Sequence, residues 1–350
     1  MKLTKQLRKI SFCSILVCSA TAAAQQPNRV IDSLAYTHAQ RLVEVEPGRR
    51  LNTYCTGSGS PTVVFDSGLG DDTGAWALVQ PVIAAHTRAC SYDRAGLGFS
   101  DPEQRPGTSS NIVDDLHRLL SAASIKPPYI LVGHSYGGMN VRLYADLHPD
   151  EVAGMVLVDP TEEDWVESAW KLDPQQRTFE QFHATLEPGW QAQRECVKAA
   201  LKGLVEGTNI YKRCVQAPDP RYSDAINAAF QRAHQSPAYQ QALLTEEESV
   251  HDASADQVRT ARRWYGSMPL IVLESAHKTR LGPHETKEHR KALNLVHDYL
   301  EDQMAALSTR GIRRIVPDSN HYIQLSQPAA VIKAILKVLS DTREPSKTSQ

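Results

Sequence analysis

The decapeptide Tyr129-Ile130-Leu131-Val132-Gly133-His134-Ser135-Tyr136-Gly137-Gly138 runs an apolar stretch into one serine with a glycine two residues to either side. A hydroxyl in the pattern Gly-x-Ser-x-Gly, with a strand before it and a helix after it, is the arrangement of a nucleophile on a tight turn. The turn strains the serine backbone, and a side chain at Gly133 or Gly137 would clash with the neighbouring chain. The hydroxyl then stands above the sheet at a helix N-terminus. Backbone N–H groups there, notably that of Tyr136, can stabilise developing negative charge. A serine hydroxyl is a poor nucleophile until a base takes its proton. The rest of the chain must therefore supply a base and a group that orients it.

The elements around the serine alternate. Arg41 to Val45 and Leu51 to Cys55 flank a turn, Glu46-Pro47-Gly48-Arg49, and read as a hairpin. Pro61 to Asp66, Arg88 to Tyr92, Tyr129 to Gly133 and Val152 to Val158 are short strand-like runs. Helical patterns at Trp76 to His86, Asn111 to Ala123 and Gly138 to Leu147 separate them. This alternation predicts an α/β fold, a mostly parallel sheet flanked by helices. It breaks from about Thr161 to Gly266, which is polar and helix-like, and resumes with a strand at Leu270 to Leu273. A helix at Glu288 to Leu307, a strand at Ile312 to Val316 and a helix at Pro328 to Leu339 follow. The expected organisation is a core of residues 25–160 and 267–340, a helical cap at 161–266, and a disordered polar tail at 341–350.

Composition bounds the function. The 350 residues are 41% hydrophobic and 22% charged, ordinary values for a folded globular chain. The formal net charge is −2 with no basic stripe, which argues against a nucleic-acid partner. Lys2, Lys5, Arg8 and Lys9 precede a short apolar run from Ile10 to Thr21 and the small residues Ala22-Ala23-Ala24. This reads as a signal peptide, residues 1–24, cleaved after Ala24, so the mature chain is expected in the periplasm or outside the cell. The run is too short to cross a bilayer, which takes about 20 residues, so no stable membrane insertion is expected after cleavage. Cleavage leaves Cys55, Cys90, Cys196 and Cys214, an even number suited to disulfides in an oxidising compartment, with three pairings open. No His/Cys/Asp cluster has metal-ligand spacing and no glycine-rich loop has phosphate-binding form, so neither a metal nor a cofactor is expected.

Five motifs in order carry a resemblance. They are Asp66-Ser67-Gly68-Leu69-Gly70, Tyr92-Asp93-Arg94-Ala95-Gly96-Leu97-Gly98, Gly133-His134-Ser135-Tyr136-Gly137-Gly138, Val156-Leu157-Val158-Asp159-Pro160 and Ser319-Asn320-His321. Together they resemble the α/β-hydrolase superfamily in its cap-bearing branch. The resemblance implies His321 as the base, between the last strand and the closing helix. His134 abuts the serine but points the wrong way along its strand. His277, His284, His289 and His297 fall in a charged stretch expected to be solvated. The resemblance leaves two acids open. Glu274 ends the strand after the insertion, and Asp159 ends the strand before the cap. Asp159 is preferred, because it can lie at the carboxyl edge of the sheet near His321. Leu69 is the implied second oxyanion donor beside Tyr136, although Ser67-Gly68 stands where the family has His-Gly. The implied strand positions also suggest the pairings Cys55–Cys90 and, within the cap, Cys196–Cys214.

Trp165, Trp170, Trp190 and Trp264 fall in or at the edge of the insertion. An aromatic roof over the serine would suit an apolar group, unless the tryptophans form the cap's own core. Glu162-Glu163-Asp164 and Glu246-Glu247-Glu248 are expected on solvated helix surface. The leading expectation is a serine hydrolase, a carboxylesterase acting on a small-molecule ester through an acyl-enzyme. An aminopeptidase or amidase on the same triad is the alternative enzyme. A non-catalytic binding protein on a hydrolase scaffold is the alternative of another class. Epoxide hydrolase and dehalogenase chemistry is disfavoured, since those relatives carry an aspartate where this chain has Ser135.

Overall fold

The computed structural model describes residues 30–172, 177–276 and 286–343. The expected signal segment, His277, His284 and residues 344–350 lie outside the described residues. The expected tail is in part structured. The closing helix runs Pro328–Arg343, and Asp341 pairs with Lys337 and Arg310.

Eight strands form one sheet: β1 (Leu42–Glu46), β2 (Arg49–Thr56), β3 (Thr62–Asp66), β4 (Ala89–Tyr92), β5 (Tyr129–His134), β6 (Val152–Val158), β7 (Leu270–Ser275) and β8 (Gly311–Val316). Their order is β1-β2-β4-β3-β5-β6-β7-β8. β1 and β2 pair antiparallel, as do β2 and β4, and every other pair is parallel. β3, β4, β5 and β7 are buried along their whole length, because helices cover both faces. On one face Leu116 of the helix Ser109–Ala122 and Met139 of the helix Tyr136–Leu147 join the main core. On the other, Val331, Ile335 and Val338 of the closing helix pack against β5, β6 and β7.

The order places β4 and β5 on opposite sides of β3. Chain crossovers therefore diverge at β3, and a crevice opens beyond its carboxyl end. Strand register fixes what lines that edge. Asp66 pairs with Gly133, His134 with Val158, and Val158 with Leu273. The residues that follow these strands, Ser67, Ser135 and Asp159, emerge at one level.

The expected helix at Trp76 to His86 is shorter. A 3₁₀ turn at Thr73–Trp76 is followed by one α-helical turn, Gln80–Ile83. Pro81 accounts for the break, since its ring can start a helix but not continue one.

The regular elements of the insertion among its described residues are helices joined by loops, with one β-bridge between Tyr222 and Ile31. The last helix of the insertion, Ala253–Ala261, belongs to the core layer rather than the cap, with Ala255 and Val258 in the main core cluster. Both disulfides are those the resemblance implies. Cys55 and Cys90 face each other across β2 and β4, and Cys196–Cys214 joins the helices Glu187–Ala200 and Asn209–Cys214.

Ion pairs dock the insertion, and the expectation of solvated acids fails for Glu162, Glu163 and Glu246, while Asp164, Glu247 and Glu248 are partly exposed. Glu162 and Glu163 are each 5% exposed. Glu163 holds Arg142 and Arg262, and Arg142 pulls its carboxyl down to about 2 against the upward push of burial. Glu246, on the helix Pro237–Ser249, is 2% exposed and clasps the Arg94 guanidinium. Arg94 also donates to Asp66 and to the carbonyls of Ser67 and Gly68. Removing one side of such a cluster strands the other in low dielectric. Arg94→Met should therefore cost about 3–5 kcal/mol in urea unfolding. A loss under about 1 kcal/mol would mean that the buried charges relax to solvent.

His234, in the cap helix Asp224–His234, packs against Tyr239 with ring centroids 4.3 Å apart and tilted by 31°, and burial pushes its imidazole down to about 4. The unfolded chain binds this proton near the ordinary 6.5 and the folded chain does not, so stability falls as pH drops from 6.5 toward 4. His234→Gln should lose less stability than the unaltered chain between about pH 7 and about pH 5, by about 2 kcal/mol. Parallel acid limbs for the two proteins would contradict this.

Candidate active site

Ser135 has φ 50° and ψ −120° and caps the helix Tyr136–Leu147. Three hydrogen bonds hold it there. Its N–H donates to the Val158 carbonyl, and its own carbonyl accepts from Gly138 and Thr161. The flanking glycines are needed for space. A Cβ on Gly133 would sit 2.4 Å from the Gly137 carbonyl oxygen, and one on Gly137 would sit 2.3 Å from that of Asp66.

His321 lies between β8 and the closing helix. Its Nε2 is 3.0 Å from Ser135 Oγ, and its Nδ1 is 2.6 Å from Asp159 Oδ2. Asp159 also stands on a left-handed backbone, φ 43°, with its N–H bonded to the Leu273 carbonyl. Its Oδ1 accepts the Ser275 N–H at 2.6 Å. Burial pushes the Asp159 carboxyl up. The His321 hydrogen bond and charge and the Ser275 amide outweigh it, so the group ends below its ordinary value. The other candidate acid is turned elsewhere. Glu274 ion-pairs with Arg313, which also holds Asp298 and Asp302.

His134 has a part that its position in sequence did not suggest. Its Nε2–H donates to the His321 carbonyl at 2.9 Å, and its ring lies 4.7 Å from that of His321. Burial, reinforced by His321, pushes it down to about 3, so it stays neutral and props the loop that carries His321. Thr161, also missed, sets its hydroxyl 3.5 Å from Ser135 Oγ.

The Leu69 and Tyr136 amides donate to no acceptor among the described residues. The loop bearing Leu69 is pinned on every side. Arg94 holds two of its carbonyls, and the Gly70 N–H donates to Glu246 at 2.9 Å. Ser67, where the family has histidine, staples the loop instead. Its hydroxyl donates to the Asp72 carbonyl and accepts the Trp76 indole N–H. Gly70 has φ +71°, a conformation that only glycine holds without strain.

A cavity of about 300 Å³ opens beside Asp159, Thr161 and His321. Its walls depart from the expected aromatic roof. Glu162, Glu274 and Glu301 line it with Trp165. Of the other insertion tryptophans, Trp190 bonds to the Glu247 carbonyl and Trp264 is 62% exposed. His297, expected in solvent, stacks on Trp165 at 4.0 Å and bonds Glu162 at 2.7 Å. Burial among Glu274, Glu162 and Asp159 pushes Glu301 well up.

Away from the cavity, His117, His148 and Glu151 bring ligand atoms within 4.8 Å of one another. Their separation in sequence hid this grouping. The two rings stack at 4.1 Å and 6°, so their in-plane lone pairs cannot meet at one ion.

The two candidate acids can be separated directly. Asp159→Asn should slow fluorophosphonate labelling of Ser135 by about a thousand-fold or more, through loss of the tautomer and of support for charged His321. Glu274→Gln should lose far less labelling and more stability. The reverse pattern would transfer the role to Glu274.

The sequence model for the alpha/beta hydrolase family matches residues 63–334. The uncharacterised protein YqjL of Bacillus subtilis (strain 168) is 38% identical over 104 residues, 30% of this chain and 41% of that protein. The aligned stretch thus spans under half the length of that curated relative. Among solved structures, a provisionally assigned epoxide hydrolase of Pseudomonas aeruginosa superposes with a TM-score of 0.59 at 18% identity, covering 87% of this chain and 96% of that one. A provisionally assigned lipase of Acinetobacter baumannii AYE gives 0.59 at 18%, covering 88% and 93%. These likenesses bear on the fold alone. With the family model spanning most of the sheet, the insertion and the loops that carry Ser135 and His321, the chain belongs to the alpha/beta hydrolase family.

Proposed function

We propose that the chain is an exported serine hydrolase, a carboxylesterase that works through an acyl-enzyme. The observation that carries this reading is the continuous hydrogen-bonded line from Ser135 Oγ through His321 to Asp159. His321 Nε2 takes the serine proton as Oγ attacks the ester carbonyl. Asp159 holds the ring in the tautomer that leaves Nε2 free to accept, and stabilises the imidazolium that forms. The Leu69 and Tyr136 amides receive the oxyanion, aided by the positive end of the helix that begins at Tyr136. His321 then protonates the leaving alcohol, and water, activated by the same nitrogen, releases the acid.

The two disulfides support export, since such bonds persist in oxidising compartments. No helix among the described residues is long and apolar enough to cross a membrane. An amidase or aminopeptidase is the second reading, favoured by the carboxylate-rich cavity beside His321.

Hydrolysis of p-nitrophenyl esters from acetate to long acyl chains tests the proposal, with Ser135→Ala beside it. Turnover should fall by about a thousand-fold or more in the variant. Labelling of Ser135 without turnover of any ester would move the assignment to amides or peptides. Neither labelling nor turnover would leave a binding role.

A further inference from the structure

The cavity next to His321 has the wrong walls for an apolar acyl group. Glu162, Glu274 and Glu301 are 5%, 4% and 2% exposed, yet all three line it. Buried carboxylates are costly unless each finds a cation or donors. Glu162 has His297 and Glu274 has Arg313. Glu301, on the helix Lys287–Ala305, differs from both. Its Oε2 is sealed from solvent and has no hydrogen-bond partner among the described residues. An orphaned acceptor of this kind, in the wall of a space that also touches His321 and Asp159, marks a place for a group the protein does not supply. Trp165 adds an aromatic wall to the same space, and an indole is a favourable neighbour for an organic cation.

We propose that this cavity is a cation subsite, which takes the ammonium group of a substrate whose scissile carbonyl is presented to Ser135, with Glu301 as the direct partner of that ammonium. The proposal rests on the serine hydrolase reading and narrows it. The substrate class becomes esters or amides that carry an amine within a few bonds of the carbonyl. The ammonium gives the Glu301 carboxyl group a cation on its cavity side, and Glu162 and Glu274 stand around it. The volume of about 300 Å³ lies at the low end for ligand sites and suits a compact aminoacyl group. The cavity reaches Thr161 and His321, whose hydroxyl and Nε2 lie 3.5 Å and 3.0 Å from Ser135 Oγ, and the cap helix Pro237–Ser249 sets Leu243 and Tyr239 against Gly70 on the Leu69 side.

The test uses pairs of p-nitrophenyl esters matched in shape and unlike in charge. These are alanine against isobutyrate, β-alanine against butyrate, and γ-aminobutyrate against pentanoate. Each rate is taken relative to uncatalysed hydrolysis. The ratio of kcat/KM, cationic over neutral, should exceed about ten for at least one pair, as expected for a hydrogen bond between charged groups. Glu301→Gln, which keeps shape and removes the carboxyl group that a bound ammonium would hold ionised, should bring that ratio to about one, chiefly through KM. Glu162→Gln should give an intermediate ratio, and thermal melting of both variants checks the fold. Calorimetric titration with n-butylammonium chloride gives a readout independent of turnover, and Glu301→Gln should abolish the binding. Ester cleavage without charge preference, or a Glu301→Gln ratio equal to that of the unaltered chain, would remove the subsite and keep the hydrolase. Ammonium binding lost in Glu301→Gln, with no ester cleaved, would keep the subsite and remove the hydrolase. Neither cleavage nor binding would remove both.

Discussion

The structure depends on one strained residue. Ser135 holds φ 50° without being glycine, a conformation that costs about 1–3 kcal/mol and persists only where the surroundings fix it. Here the surroundings are backbone from three places. Val158 of β6, Thr161 at the root of the insertion and Gly138 of the following helix each hydrogen-bond the serine main chain. The glycine spacing follows from the same crowding, since the serine turn is pressed against Asp66 at the end of β3. The parallel register of β3, β5 and β6 makes this convergence possible, and it delivers the Asp159 turn beside the Ser135 turn.

A second constraint joins the insertion to the loop that carries Leu69. Arg94 is almost fully buried between Asp66, the Ser67 and Gly68 carbonyls and Glu246 of the cap. Burial pushes the Asp66 carboxyl up to about 6 against the pull of Arg94, so the cluster is held under electrostatic tension. Its geometric consequence is simple. Glu246 of the insertion bonds both Arg94 and the Gly70 N–H, so the loop that carries Leu69 is tied to the helix Pro237–Ser249.

The sheet, the serine turn and the place of His321 were legible because they are written locally. Apolar runs, turn residues and glycine spacing each act over a few positions. Pro81 is equally local, and it limits the helix after Trp76 to one turn. The acids were harder to read. Glu246 and Glu162-Glu163 look like helix surface because their partners are distant in sequence: Arg94 lies 152 residues before Glu246. His297 looks solvated in sequence for the same reason, its partner Glu162 being 135 residues away. Sequence left Asp159 and Glu274 open, and what separates them is three-dimensional: Arg313 of β8 draws Glu274 aside, while the left-handed turn at Asp159 aims its carboxylate at His321. The core role of Ala253–Ala261 was hidden because a short helix with a modest apolar stripe reads alike in cap and core.

The central claim is that Ser135 carries the acyl group during turnover. Acid quenching of the protein at steady state with p-nitrophenyl acetate, followed by intact-mass and peptide analysis, tests it most directly. The account predicts a single acetyl adduct on the peptide containing Ser135, formed with a burst of p-nitrophenol and absent in Ser135→Ala. Turnover with no adduct at any time, or an adduct that maps to another residue, would contradict it.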